Sequence, residues 1–564
     1  MSKIFAYVVV AVMAAVNVAG WWWFNRPIPV ELSFNEPFPS VSFAPFRRGQ
    51  GPITKVFPPP EQIVEDLRSL VGVTKGVRTY TSLEGMDIVP KAAGELGLEV
   101  THSAWLGQKR ANNDMEIAAL IKSANQYPDT IKRVIVGNEV LLRQDLPVDE
   151  LIGHIREVKA KVKQPVTYAD VWAFWLKNPQ LAKEVDFITI HILPYWEDEP
   201  IGVEHAERHI LMITRMVAQA FPGKPILIGE AGWPTRGRSR GPAVANMENA
   251  AIFVRTLARV SKENGFDYNV VEAFDQPWKA KLEGTVGAKW GVVDEDRHVK
   301  FAMSGPVEPS PLWPMHAMVS TVLGVVAGLW FLRRPERYDA KAGLAVAVIA
   351  QLMGALVIWQ VINAQALAYD ALEDYWAYAR VTAHGALAVL LVKAAGQGFA
   401  RDGVPLASKT GEWLVALYGF CAISISLLLL LNGRYRDIPP MEFLAPCVGV
   451  TVYALARMAV LGLDWKQAFA ISKLFGGCFP GGVCPTGKIL AGLIVSVVIS
   501  PLSEVVALAR GEDFVASHPK LSDQLPMLTG ALWENREMCV WTVMVAVMGL
   551  PFLAEWLLSR RGES

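Results

Sequence analysis

Two glutamates in this chain directly follow apolar, β-branched runs: Ile135-Val136-Gly137-Asn138-Glu139-Val140 and Ile226-Leu227-Ile228-Gly229-Glu230-Ala231-Gly232-Trp233-Pro234. A carboxylate at the end of a buried run stands where a ligand can reach it, and two facing carboxylates can serve as a general acid and a nucleophile. About 5 Å apart, such a pair has the geometry of a retaining glycosidase, in which one group attacks the anomeric carbon and the other protonates the leaving oxygen. Either glutamate alone is equally well read as a structural ion-pair member. Both together, at matching strand ends, point to chemistry.

The elements that must position them are eight short β-branched segments at 41–46, 76–81, 98–105, 131–138, 166–171, 185–191, 225–230 and 268–274, alternating with amphipathic helical stretches. Eight βα units predict a (β/α)8 barrel, although a doubly wound sheet shares the same periodicity. Helical patterns such as Pro60-Glu61-Gln62-Ile63-Val64-Glu65-Asp66-Leu67 and Asp149-Glu150-Leu151-Ile152-Gly153-His154-Ile155 carry acidic residues in their first turns, as an outer helix ring would. In a barrel, the fourth and seventh strands face each other across the mouth, and the strand ends form the site. Those ends carry Tyr80, Trp105, Asn138, Glu139, Asp170, Trp172, His191, Tyr195, Trp196, Glu230, Trp233, Asp275, Gln276, Trp278 and Lys279. Aromatic planes suit the CH-rich faces of sugars, and carboxylates and amides match hydroxyl groups, so the mixture suits carbohydrate.

The rest of the chain is different. At 564 residues it exceeds what one core usually organises, and its 19% charged and 52% hydrophobic residues are unevenly spread. Apolar runs at 4–24, 313–332, 342–364, 378–394, 412–431, 442–463, 489–509 and 537–558 each approach the roughly 20 residues a bilayer requires. The first ends in Trp21-Trp22-Trp23, an interfacial belt, which favours an uncleaved anchor over a signal peptide. The expected division is an anchor at 1–29, a (β/α)8 domain at 30–306 and an all-α transmembrane domain of about seven helices at 307–564. With the N-terminus inside, basic loops at 333–337, 393–409 and 466–488 and the tail at Arg560-Arg561 fall on the cytoplasmic side, with Asp370, Glu373, Asp374, Glu512 and Asp513 opposite. That is the positive-inside arrangement; it places both termini in the cytoplasm and the polar domain outside. A net charge of zero gives no reason to expect nucleic acid as a partner. The five cysteines all lie in the apolar half, so the polar domain does not rest on disulfides.

With its motifs laid out, the polar domain resembles the family-17 glycoside hydrolases, specifically the bacterial membrane-bound branch acting on β-1,3-glucan. The resemblance covers roughly residues 40–303 and rests on Val136-Gly137-Asn138-Glu139, on Ile228-Gly229-Glu230-Ala231-Gly232-Trp233-Pro234-Thr235, and on Glu272-Ala273-Phe274-Asp275-Gln276-Pro277-Trp278-Lys279. It implies Glu139 as acid/base, Glu230 as nucleophile, Asn138 as the holder of the sugar 2-hydroxyl, and Tyr80 and Tyr195 as subsite residues. Asp170, Trp172, Trp196, Trp233, Gln276, Trp278 and Lys279 complete the expected substrate-binding set. Where plant and fungal relatives carry Phe-Asp-Glu, this chain has Phe274-Asp275-Gln276, which bears on the acid/base pKa or on a sugar contact.

No metal or cofactor is expected. His191 has no second His or Cys at ligand spacing, Cys478 and Cys484 lack a second pair, and the phosphate-loop-like stretch at 482–488 is followed by Ile489 where Ser or Thr would stand. His316, His384, Arg457 and Glu504 lie in or near apolar runs and could line a polar path, which keeps open a glucan or lipid transporter or sensor with the barrel as a binding module. Two facing carboxylates argue instead for an enzyme. A glycosyl-enzyme yields hydrolysis with water or transglycosylation with a sugar hydroxyl. Membrane attachment, together with an acceptor side read from Trp172, Trp175 and Trp196, favours transfer over an endo-β-1,3-glucanase. The implied partners are β-1,3-glucan or laminari-oligosaccharide as donor and acceptor, and membrane lipid. A separate glucan synthase is a further implied partner, since no Asp-rich synthase domain or Gln-x-x-Arg-Trp motif is present. The expected location is the bacterial inner membrane, with the barrel in the periplasm.

Overall fold

The computed structural model describes residues 1–476, 485–511, 514–515 and 518–560. Cys478, Cys484, the phosphate-loop-like stretch up to residue 484, Glu512, Asp513 and Arg561 lie outside the described residues. The chain forms two compact units, one of residues 27–308 and the other of residues 1–26 with 309–564.

The first unit is a closed barrel of eight parallel strands in sequential order: β1 (Val41–Ser42), β2 (Gly76–Arg78), β3 (Glu99–Ala104), β4 (Ile131–Asn138), β5 (Val166–Val171), β6 (Ile188–Ile192), β7 (Ile226–Ala231) and β8 (Asp267–Val270). Pairing of Val41 with Val270 closes the ring, which excludes the doubly wound sheet. Strands β1, β2 and β8 are shorter than their apolar runs, with individual backbone bonds such as Thr79 N to Thr101 O (3.0 Å) and Val271 N to Ala231 O (2.9 Å) continuing past their ends. The outer helices present apolar stripes inward. In Pro60–Ser69, with its proline at the helix start and Glu61 in the first turn, Ile63 and Leu67 are fully buried. In Val148–Lys159, Leu151, Ile155 and Val158 are fully buried.

Among its described residues, the second unit has eight helices long and apolar enough to cross a membrane: Lys3–Asn25, Trp313–Leu332, Ala340–Leu367, Ala371–Gly398, Lys409–Tyr435, Pro440–Leu461, Thr486–Ala509 and Arg536–Arg560. Two of them reach 28 residues, well beyond their apolar runs, because the helix continues through polar ends such as Glu373 and Asp374 under the Asp370 cap. Exposed Val8, Val12, Val322, Val326, Leu417 and Val498 give these helices apolar outward faces. Short helices at Trp465–Phe469, Ile471–Phe475 and Leu521–Glu534 occupy stretches that the apolar runs leave as loops.

Candidate active site

The site is built where β2, β4, β6 and β7 end. Glu230 lies on β7, and Glu139 follows β4 immediately. Around Gly137 the β4 backbone leaves regular pairing: Gly137 has φ +87°, Glu139 has φ +52°, and the register to β5 shifts between Ile135 and Asn138. A Cβ at Gly137 would lie 2.7 Å from Val140 Cγ2, so both conformation and space demand glycine there. A non-glycine residue in the left-handed region costs energy and is characteristic of functional sites. Here the turn is held by Glu139 N donating to Ala169 O (2.8 Å) and Arg143 N donating to Glu139 O (2.9 Å).

Ligand-capable atoms of Glu139, His191 and Glu230 all lie within 4.8 Å of one another. His191 is the register partner of Glu230 across β6 and β7, so the ladder itself places imidazole beside carboxylate. Its Nδ1 is 3.0 Å from Glu139 Oε1 and its Nε2 is 3.7 Å from Glu230 Oε1, with the side chain fully buried. Fold geometry thus supplies His191 with the neighbours that chain spacing does not. Donors already meet the two carboxylates, His191 at Glu139 and Arg78 at Glu230, so the group reads as an acid–base network. Arg78, fully buried on β2, donates to Glu230 Oε1 (3.2 Å), Gly229 O (2.6 Å) and Asn138 Oδ1 (2.5 Å), joining the ends of β4 and β7 through one guanidinium. A Cβ at Gly229 would meet Thr189 Cγ2 at 2.3 Å and Arg78 Nη1 at 3.4 Å, so only glycine lets these side chains pass.

Other expected site residues divide into two sets. Tyr80, whose hydroxyl is 2.8 Å from Ser42 Oγ, feels the charge of Glu230, as does Lys279. Lys279 donates to both oxygens of the buried Glu272 (3.0 and 3.2 Å). Trp172, Trp196 and Trp278 are half-buried: Trp172 Nε1 donates to Glu197 (3.1 Å), Trp196 stacks on Trp290 with ring centroids 6.4 Å apart, and Trp278 Nε1 donates to Gln276 (3.0 Å). Asp170, Tyr195, Trp233 and Gln276, by contrast, are fully buried and bonded to the protein itself. Asp170 receives the Tyr168 hydroxyl and the Val171 amide, Tyr195 donates to Arg238 O, and Trp233 donates to Val244 O. Gln276 Nε2 donates to Ala44 O and Phe274 O, a role in which glutamate would place a carboxylate against two carbonyls. This accounts for Gln at that position without a sugar contact. Trp175, read from sequence as part of an acceptor side, is instead fully buried with Nε1 donating to Thr189 O, so it is packing.

Four participants escaped the sequence-derived set: Arg78, Glu272, His191 as a network member, and Glu283. The signal for Arg78 was a charge inside an apolar strand, which is almost never buried without a partner. Electrostatics follow from burial. Burial pushes Glu272 up to about 7 against the opposing pull of Lys279, and pushes Asp170 up to about 7 with Glu139 adding to the rise. Glu139 is held below the usual range: burial opposes this, but the His191 hydrogen bond and charge, with Arg143 and Arg78, outweigh it. Burial raises Glu283, which also feels Lys279, Glu139 and Glu230.

Residues 40–291 match the family model of the BtgE/BtgC glycoside hydrolase domain. A btgC protein of Aspergillus niger is 29% identical over 310 residues, covering 49% of this chain and 44% of that protein. A glucan 1,3-beta-glucosidase of Schizosaccharomyces pombe is 28% identical over 264 residues, covering 43% of this chain and 81% of that protein. This chain therefore spans less than half the length of the first of these relatives. Among solved structures, a β-1,3-glucanosyltransferase of glycoside hydrolase family 17 from Rhizomucor miehei is 27% identical, with 47% of this chain and 95% of that chain covered and a TM-score of 0.42.

Proposed function

We propose that the glycoside hydrolase domain formed by the barrel is the catalytic part of a membrane-bound retaining transglycosylase acting on β-1,3-glucan. The observation that carries this is the separation within 4.8 Å of the Glu139 and Glu230 carboxylate oxygens. Retaining enzymes hold their carboxyl groups about 5 Å apart, whereas inverting enzymes leave about 6.5–9.5 Å for a water molecule. Glu230, more buried and held in direction by Arg78, suits the nucleophile. Glu139, on the turn after β4 with 23% of its side chain exposed, suits the acid/base that meets both leaving group and acceptor. In the first step Glu230 bonds to C1 as Glu139 protonates the departing oxygen. In the second, an acceptor hydroxyl gives its proton to Glu139 as its oxygen displaces Glu230. The substrate class is supported by the match to the glycoside hydrolase domain and by the name of the Schizosaccharomyces pombe relative.

In this reading, residues 30–306 are the catalytic domain, 1–29 an anchor, and 307–564 the membrane domain. Charge asymmetry of the loops supports cytoplasmic termini and a periplasmic barrel in a bacterial inner membrane, where a separate synthase would supply the glucan. Half-buried Trp172 and Trp196 support transfer, as aromatic surfaces on which an acceptor chain outcompetes water by proximity. Hydrolysis is the second reading, favoured by the name of the Schizosaccharomyces pombe relative. The test is to incubate the detergent-purified chain and its Glu230→Gln form with laminari-oligosaccharides and follow product length and linkage by mass spectrometry and NMR. Longer or newly branched products from the wild type alone are expected. Only shorter products would make it a hydrolase, and no change with either form would sink both readings.

A further inference from the structure

His191 is placed as no simple structural histidine would be. It is fully buried, its Nδ1 meets the Glu139 carboxylate at 3.0 Å, and its Nε2, 3.7 Å from Glu230 Oε1, has no hydrogen-bond partner. The strand ladder fixes this placement, since Val171, His191 and Glu230 are consecutive register partners across β5, β6 and β7. The charged groups facing the imidazole are few. Glu139 comes from the turn after β4 and Glu230 from β7, and Asp170 on β5 feels its charge. Arg78 on β2 lies beside it across Gly229, where a Cβ would meet Arg78 Nη1 at 3.4 Å and His191 Cδ2 at 3.5 Å. Arg143 acts on Glu139 from the same turn, Lys279 acts on Glu230, and Glu283 acts on both glutamates.

We propose that His191 is the positioning and proton-storing partner of the acid/base, so that the proton delivered to the leaving group belongs to a Glu139–His191 pair rather than to Glu139 alone. The inference rests on the retaining reading above. In the first step the donor's C1–O bond breaks, a bond from C1 to a Glu230 oxygen forms, and the pair's proton leaves through Glu139 to the departing oxygen. The pair is then a carboxylate and a neutral imidazole that keeps its proton on Nε2, leaving Nδ1 to take the next proton back from Glu139. In the second step the acceptor oxygen bonds to C1, the ester to Glu230 breaks, and the acceptor's proton returns through Glu139 to the pair. No outside proton or co-reactant is needed. With Nδ1 3.0 Å from the acid/base oxygen, proton loss from the pair, rather than from an isolated carboxyl group, sets the alkaline limb of acid catalysis.

The test uses the full-length chain in detergent with two donors: laminari-oligosaccharide, whose departure needs a proton, and a 2,4-dinitrophenyl β-laminaribioside, whose departure does not. His191→Asn keeps a donor near the Nδ1 position but cannot store a proton. It is expected to lower the alkaline limb of kcat/KM for the oligosaccharide by about one pH unit while leaving the activated donor within about threefold of wild type. His191→Ala should show the same limb shift with a further loss of about 10- to 100-fold on the oligosaccharide alone. If either variant misfolds, the wild type supplies the answer by itself, since an alkaline limb set by imidazole moves to lower pH on warming and one set by a carboxyl hardly moves. An unmoved limb in the variants, an equal loss on both donors, or a temperature-independent wild-type limb overturns the proposal. A wild type silent on both donors overturns the retaining reading, and this inference with it.

Discussion

In the barrel unit, Arg78, Asn138, Glu139, His191 and Glu230 gather charged and polar groups side by side, each meeting a neighbour across a strand end. In the helical unit, helices approach closely at glycines: a Cβ on Gly354 would fall 2.5 Å from Ser320 O, one on Gly324 2.6 Å from the Gln351 side chain and 2.8 Å from its Cα, and one on Gly396 2.2 Å from Phe331 Cδ1. Gly324 and Gly328 form a small-xxx-small stripe on Trp313–Leu332, where it packs against Ala340–Leu367. Around the barrel, water is the alternative environment, so apolar burial holds the fold and leaves the strand ends free to gather costly polar groups for chemistry. Among apolar helices in a membrane, burial of apolar surface drives nothing, and close approach through small residues takes its place. The barrel's fold thus rests mainly on apolar burial with its polar groups gathered at the mouth, whereas the packing of the helical unit relies on close approach at its glycines.

The sharpest way to break this contrast is Glu230→Gln. Removing the nucleophile from an otherwise intact network should lower turnover of laminari-oligosaccharide by about 10⁴-fold or more, with the melting temperature nearly unchanged. A comparable loss of stability would show the site to be structural. Glu139→Ala comes next: about 10²- to 10⁴-fold slower on oligosaccharide, with far less loss on an activated aryl donor, measured as kcat/KM on the two substrates. Arg78→Met tests the network's architecture. It strands Glu230 and Asn138 without their shared partner, and a destabilisation of about 3–5 kcal/mol by denaturant unfolding is expected. A mild effect would mean that the guanidinium is dispensable for the fold.

Smaller effects follow from pH and from packing. Burial raises both Asp170 and Glu272 to about 7 in the folded chain, so between the ordinary carboxyl range and pH 7 the native state holds protons that the unfolded state has lost. Their contribution to stability is therefore fully present at low pH and is lost as pH rises toward 7 and beyond, on the order of 3 kcal/mol for each group. Asp170→Asn should flatten this slope in thermal unfolding between pH 5 and 8, and an unchanged slope would remove Asp170 from the account. In the helical unit, Gly354→Ala is expected to destabilise by about 1–3 kcal/mol, while Gly328→Ala, whose Cβ would meet Val10 and Ala350 at 3.6 and 3.9 Å, should be tolerated. Equal melting temperatures for the two would show that backbone approach does not hold these helices.

What the amino-acid sequence alone determined is what local pattern encodes. β-branched runs at barrel spacing mark eight strands, apolar runs of bilayer length mark eight long helices, and Glu139 and Glu230 stand at the ends of their runs. Side-chain direction beyond the strand ends was not legible. Tyr195, Trp233, Gln276, Asp170 and Trp175 have the residue types of a sugar site, yet they turn inward to backbone carbonyls, amides and aromatic neighbours. Closure of the barrel through Val41 and Val270 belongs to the tertiary structure as well. So does the convergence of Arg78, Glu139, His191 and Glu230, whose positions are separated by up to 152 residues in the chain. Such contacts are set by ladder register across the barrel, a long-range property that one strand's composition does not carry.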